Sequence, residues 1–313
     1  MTPSPKPQSI SPAEMTKELV ISKCDYFVDV QLWPPKSIIN PERWLSNFTS
    51  GESIYAIHLL NSFLFYSEQL TDLMFIAALQ MISNDFRRAG DSYVSRLMSW
   101  NSFVDNIIVT PVTGEDPNIS DSGLMFARKA RQKWGVKEAQ LMGQEQALKL
   151  LVDQGPRPVI FVDDFVGSGD QFKKTWTRKV IINSTNITYK DLSSGSGFSF
   201  YYCPLVCTEY GYNRLKTICP DVKLRPVHTL SACYSALAVD SIIWPPNLLS
   251  DATNFIFEAS KRAGIPDNNG CVDDWRGYNK LGLAIAFAHS VPDATLPIFY
   301  WNKNGWKPLI QRT

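Results

Sequence analysis

Pro158-Val159-Ile160-Phe161-Val162-Asp163-Asp164-Phe165-Val166-Gly167-Ser168-Gly169-Asp170-Gln171 is the stretch that decides the fold. An apolar run ends in two adjacent carboxylates, turns through Gly-Ser-Gly and enters a polar, helix-like segment. This reads as a buried strand, an acidic pair at its carboxyl end, and a loop of backbone N–H groups opening a helix. In an open α/β sheet, ligands sit in that crevice. Carboxylates accept hydrogen bonds from a vicinal diol, and loop amides with a helix N-terminus hold a phosphate. The pattern therefore suits a phosphorylated sugar. A plainer reading also stands: a strand whose terminal Asp residues cap a turn and whose glycines permit positive φ.

Other nucleotide motifs are excluded by the order of features. A dinucleotide fingerprint puts its glycines before its acid, and GxGxxG is absent. A Walker B strand needs a GxxxxGK[ST] loop elsewhere, and the chain has none.

Outward from this stretch, strand-like and helix-like segments alternate from about 105 to 230, which predicts a parallel sheet with helices on both faces. The expected strands are Ile107–Val112, Pro158–Val166, Phe198–Cys207 and Val222–Val227. Expected helices are Leu124–Trp134, Lys137–Val152, Asp170–Arg178 and Tyr210–Ile218. Asn183–Gly197, rich in Ser and Gly, is expected to be a mobile connection. Two helices over Glu52–Ser83, divided near Tyr66-Ser67-Glu68, belong to a helical N-terminal layer. Leu281–His289 reads as an apolar helix, followed by extended, aromatic sequence. The expected organisation is a disordered lead over 1–15, the helical layer over 16–100, an α/β core over 101–240 and a C-terminal extension over 241–313 packed on the core.

With 313 residues, 44% of them apolar, the chain is long enough to bury a large core. Its formal charge of +1 gives no global argument for nucleic acid. Six cysteines without CxxC spacing and only three histidines argue against a structural zinc site. Cys203 and Cys207, four apart in a strand-like run, are expected on the same side of it. Reduced thiols, the lack of an apolar signal core and the lack of an 18-residue apolar run point to a cytoplasmic protein without a membrane segment. Oligomeric state is not legible.

Asp163 and Asp164 followed by Gly167, Ser168 and Gly169 resemble the ribose-phosphate motif of type I phosphoribosyltransferases. Asp170 and Gln171 stand where that family usually has Gly and Thr. The wider set is more specific: Trp44-Leu45-Ser46-Asn47-Phe48, the Asp-Asp-Phe-Val-Gly-Ser-Gly-Asp-Gln run, Thr208-Glu209-Tyr210-Gly211, and His289-Ser290-Val291-Pro292-Asp293-Ala294-Thr295-Leu296-Pro297. Together they are similar to phosphoribosyltransferase-like proteins of bacterial conflict and anti-phage systems, including those beside retron reverse transcriptases, in which Asp-Gln after Gly-Ser-Gly looks typical.

The resemblance implies a type I phosphoribosyltransferase-like parallel sheet flanked by helices, with a helical N-terminal layer and an aromatic C-terminal extension. It implies an effector or toxin acting on a nucleotide or phosphoribosyl ligand in antiviral defence, with a reverse transcriptase and its nucleic acid as a partner. Asp163 and Asp164 are then the catalytic pair and the ligands of a Mg²⁺ ion. Gly167, Ser168, Gly169, Asp170 and Gln171 form the phosphate loop. An earlier strand–loop–helix unit holds pyrophosphate in that family, and Ser120, Asp121, Ser122 and Gly123 are the candidate here, with Arg128 and Lys129 on the following turns adding charge. The alternative is a non-catalytic module that senses a nucleotide or phosphosugar and signals to a partner. His289, Glu209, Arg214 and Lys216 carry no assignment.

Overall fold

The computed structural model describes residues 15–87, 89–112 and 122–312. In chain order its elements are α1 (Lys17–Asp29), α2 (Pro41–Leu45), α3 (Ser53–Asn61), β1 (Leu64–Tyr66), α4 (Glu68–Ser83), α5 (Tyr93–Asn106), β2 (Ile108–Pro111), α6 (Ser122–Lys129), α7 (Gln144–Gln154), β3 (Pro158–Val166) and α8 (Asp170–Thr177). They continue with β4 (Val180–Ile182), β5 (Thr185–Ile187), α9 (Tyr189–Ser193), β6 (Ser199–Thr208), α10 (Glu209–Ile218), β7 (Val222–Leu224), β8 (His228–Leu230), α11 (Pro246–Ala263) and β9 (Ile285–Phe287). No described helix is long and apolar enough to cross a membrane.

Two compact units divide the chain, one of residues 68–231 and one joining 1–67 to 232–313. Their breaks at 67/68 and 231/232 differ from the boundaries expected at 100/101 and 240/241. α4 and α5 belong with the sheet rather than with the N-terminal helices.

The 68–231 unit is built on a parallel sheet in the order β2-β3-β6, with β7 and β8 both paired to β6. Arg225 N donates to Tyr202 O and Val227 N to Pro204 O, so β7 and β8 continue one edge past Pro226, which has no N–H to give. Strand order advances in one direction, and right-handed crossovers then put the connecting helices on one face. α7, α8, α9 and α10 do share a face: Leu148, Phe172, Trp176, Tyr189 and Leu215 bury against Val159, Phe161, Phe200 and Tyr202. On the other face α4 lies against β6 and α6 against β2 and β3, and the Phe103 ring of α5 meets Tyr201 edge-on at 5.6 Å. A sheet covered on both sides explains why β3 reads as a nearly continuous apolar run.

The other unit joins sequence that is far apart. Trp33, Ile39, Trp44 and Leu59 share one core with Trp244, Phe255, Phe299 and Trp306. The fully buried Trp44 stacks on Phe299 at 5.2 Å, and both Trp44 Nε1 and Trp306 Nε1 donate to Ile298 O, at 2.8 and 2.9 Å. Trp44→Ala is expected to cost about 3–5 kcal/mol in this core. Urea unfolding that shows a loss below about 1 kcal/mol would contradict the packing.

Two expected segments differ. Leu281–His289 is not a helix: Ile285–Phe287 is a strand, parallel to β1 with Leu64 opposite Ile285, and Gly282 precedes it at φ 57°. A short apolar run cannot separate buried strand from buried helix by its period. The 183–197 connection holds β5, antiparallel to β4, and α9, which starts at a reciprocal cap where Thr188 Oγ1 accepts from Asp191 N and Asp191 Oδ2 accepts from Thr188 N. Asp at the third helical position does the work expected of Glu. The 1–15 lead lies, but for Met15, outside the described residues.

Candidate functional site

The carboxyl end of β3 separates the two acids. Phe161 and Asp163 point to the face covered by α8, while Asp164, on the next position, is half-buried. Asp163 is 4% exposed; Tyr202 Oη, on β6, donates to its Oδ2 at 2.6 Å and Asp164 N to its Oδ1 at 3.0 Å. The Tyr202 ring is fixed in turn by Phe172 of α8, stacked on it at 3.9 Å. Burial, and next the charge of Asp164, hold the Asp163 carboxyl well above the usual carboxylate range; the Tyr202 hydroxyl opposes this only in part. Asp163 is thus a buried acid inside the scaffold whose protonated form is favoured, and Asp164 is the acid with access to solvent.

The β3–β6 ladder supplies a reason for this split. It pairs Asp163 with Pro204 and Phe165 with Val206 but has no Asp164–Leu205 pair. Side-chain alternation changes phase across that gap. Phe161 and Val166, an odd number apart, share one core, as do Tyr202 and Cys207. The strand end is re-aimed where Asp164 and Phe165 emerge.

Gly167, Ser168 and Gly169 form the turn into α8, with Gly169 at φ 79° as the residue before the helix. A side chain there is excluded by conformation and by Leu215, whose Cγ would lie 2.7 Å from a Cβ. α10 is pressed onto the loop from the side: a Cβ on Gly211 would lie 2.4 Å from Gly167 O. Thr208 Oγ1 ties the two, donating to Gly167 O and accepting from Gly211 N at 2.9 Å. Asp170 opens α8 with both carboxylate oxygens engaged. Ser168 Oγ donates to Oδ2 at 2.7 Å and Arg214 Nη2 to Oδ1 at 2.5 Å, while Arg214 Nη1 donates to Ser168 O at 2.8 Å. The negative charge that the sequence places at this loop is balanced by an arginine 44 residues away. Gln171 is exposed on the first turn of α8. The result is an acid, a rigid turn and a helix start at the carboxyl end of an interior strand of a parallel sheet, the place where open α/β sheets bind ligands.

A family model named PRTase-CE matches residues 41–312. The chain belongs to the PRTase-CE family. The match takes in both compact units from α2 onward. No curated protein matches.

The second candidate loop of this PRTase-CE chain is only partly described. Ser120 and Asp121 lie outside the described residues, and Ser122 and Gly123 are the first residues of α6. Of the two basic residues expected to add charge there, Arg128 is exposed, but Lys129 is 6% exposed and paired with Asp72 of α4, which Lys133 also meets at 2.8 Å. That lysine braces α6 on α4.

Cys203 and Cys207 do not share a side of β6. Cys207 lies in the core with Tyr202, and Cys203 feels Arg225 and Asp85; burial pushes both thiols up to about 12. The phase change around Pro204 is what a simple count of four missed. Among the described residues, no group of three His, Cys, Asp or Glu side chains is arranged to hold a metal. With Asp163 buried and turned inward, Asp164 is the acid of the pair with access to solvent. That fits a Mg²⁺ ion brought in on phosphate oxygens, and not an all-protein cage.

Asp163 gives a signed pH effect. In the unfolded chain its carboxyl ionises near the ordinary aspartate value of 3.8, while in the native state it stays protonated to higher pH. Between those two values unfolding releases a proton, so stability falls as pH rises, by up to about 1.4 kcal/mol per pH unit. Asp163→Asn removes this loss. In denaturant titrations upward from about pH 4.5, the variant is expected to gain on the parent protein as pH rises; curves that stay parallel would show that the fold does not raise the Asp163 carboxyl.

Proposed function

We propose that this chain binds a phosphoribosyl ligand or nucleotide at the carboxyl end of β3 and acts on it as a phosphoribosyltransferase-type effector of anti-phage defence. The observation that carries the reading is the run from half-buried Asp164 through the Gly167–Gly169 turn into α8, at the carboxyl end of an interior strand of a parallel sheet in a chain of the PRTase-CE family. The defence role and a reverse transcriptase with its nucleic acid as partner rest on the motif resemblance alone, and the cytoplasmic setting on the cysteine and hydropathy pattern of the sequence.

In this reading Asp164 accepts hydrogen bonds from the ribose diol, and the 167–169 amides with the start of α8 hold the phosphate. Asp163 does not touch ligand; through Tyr202 and the Asp164 amide it holds the strand end in place. Mg²⁺, when bound with the ligand, neutralises phosphate charge beside Asp164. The C1′ bond to the leaving group breaks with its electron pair leaving on pyrophosphate or base, and an acceptor or water oxygen forms the new bond on an oxocarbenium-like sugar. The protein's contribution is placement and charge stabilisation.

A sensor without turnover is favoured by one observation. Asp170 is already satisfied by Ser168 and Arg214, so the loop is complete without ligand. Calorimetry with phosphoribosyl pyrophosphate, ribose 5-phosphate, AMP and NAD in Mg²⁺, followed by chromatography for released base or pyrophosphate, separates the cases. Binding with turnover supports the enzyme, binding alone the sensor, and binding of none overturns both.

A further inference from the structure

We propose that a cavity in the unit joining 1–67 to 232–313 is a binding site for a small neutral ring compound with a single hydroxyl, a phenol in chemical class. The inference does not rest on the sugar-phosphate reading, whose residues all belong to the 68–231 unit.

The cavity holds about 160 Å³ and lies where β1 and β9 begin. Leu64 and Ile285, opposite one another in that parallel pair, both line it, with Ser62 and Ala284 just ahead of the two strands. Tyr234 and the adjacent Ile242 and Ile243 form the remaining wall. Two positions further along the pair, Tyr66 and Phe287 stack at 4.9 Å and fill the same face. At the start of the strands the short side chains of Ser62 and Ala284 leave it open. Ala284, Ile285 and Ile243 are buried and Ile242 is 60% exposed, so the space has an apolar floor and an edge that reaches solvent. Unfilled apolar space forfeits packing contacts, and an apolar group that displaces poorly held water from it gains affinity.

Size, charge and hydrogen bonding define the occupant. An apolar cavity of about 150 Å³ takes benzene, so this one fits a single six-membered ring. Among the described residues no charged side chain lines it, which selects a neutral ligand. The N–H groups of Ser62, Leu64, Ile242 and Ile243 are already given to His58 O, Ala284 O, Cys233 O and Ser241 Oγ. A nucleobase, with polar atoms around its whole edge, would leave several of them unpaired, at a cost for each. The Ser62 hydroxyl makes no hydrogen bond to a described residue, so it is open to one hydroxyl of a ligand.

The test is calorimetric titration of the full chain with phenol, benzene and adenine. The parent is expected to bind phenol with a Kd of about 1 mM or tighter, benzene more weakly and adenine not measurably. Ser62→Ala is expected to weaken phenol about fivefold and to leave benzene unchanged. Ala284→Leu fills the space and is expected to weaken both rings about tenfold or more. Ile243→Ala enlarges it and is expected to shift the preference from phenol to 2-naphthol by about tenfold; this variant decides the matter if Ala284→Leu does not fold. Binding of neither ring by the parent, adenine bound as tightly as phenol, or a phenol affinity that none of the three substitutions moves would each overturn the inference. The sugar-phosphate reading stands or falls separately, on the ligands titrated for it above.

Discussion

Asp164→Asn is expected to lower affinity for phosphoribosyl pyrophosphate about hundredfold, and turnover with it, while the protein stays folded. In the proposed complex two charge-assisted hydrogen bonds to a diol are exchanged for weaker ones, and about 2.7 kcal/mol is a reasonable loss for that change. Asp163→Asn is not expected to match it. Its side chain is buried against Tyr202, and the variant keeps an oxygen to accept from Asp164 N. The two substitutions therefore differ in what they move: the first moves ligand binding, the second the dependence of stability on pH. They are also linked. The charge of Asp164 is the second cause of the raised Asp163 carboxyl, so Asp164→Asn narrows the pH window over which stability declines. Equal loss of binding in both variants, measured by calorimetry, would mean that both acids face the ligand.

Gly211→Ala is the second large effect. Alanine is favoured over glycine in a helix by about 1 kcal/mol, so propensity alone predicts a more stable protein. The contact predicts the reverse. A Cβ would lie 2.4 Å from Gly167 O and 2.9 Å from Val166 Cγ1, and a backbone carbonyl in a turn tied to Thr208 has nowhere to go. A net loss of about 3 kcal/mol is expected, along with weaker ligand binding, since the carbonyl that shifts belongs to the loop proposed to hold phosphate. A thermal midpoint equal to or above that of the parent would show that α10 does not press on the loop.

What was legible in the sequence was local. The apolar run, the acidic pair and the glycine turn located β3 and placed the start of α8 at Asp170, because each of those signals acts on its immediate neighbours. Partners across strands were not legible. Nothing near residue 163 announces Tyr202, and nothing near 170 announces Arg214; both depend on which residues the β3–β6 ladder brings level. A glycine three positions into a helix was a usable sign of close approach, and Gly211 carried it. The assignment of 281–289 to a helix failed because strand β9 exists only through β1, more than two hundred residues earlier. Lys129 read as a charge available to the 120–123 loop because its helical spacing cannot reveal that Asp72 sits opposite.

The core that joins Trp44 to Phe299 imposes a timetable on synthesis. A nascent chain emerging from the ribosome presents Trp33, Ile39, Trp44 and Leu59 first, yet Trp244, Phe255, Phe299 and Trp306 of the same core follow only after residues 68–231 have been made. At typical elongation rates that wait lasts roughly ten to thirty seconds, long enough for the intervening segment to fold ahead of them. Those early aromatic residues must meanwhile be shielded from one another, which makes the yield of folded protein sensitive to translation speed and to chaperone supply.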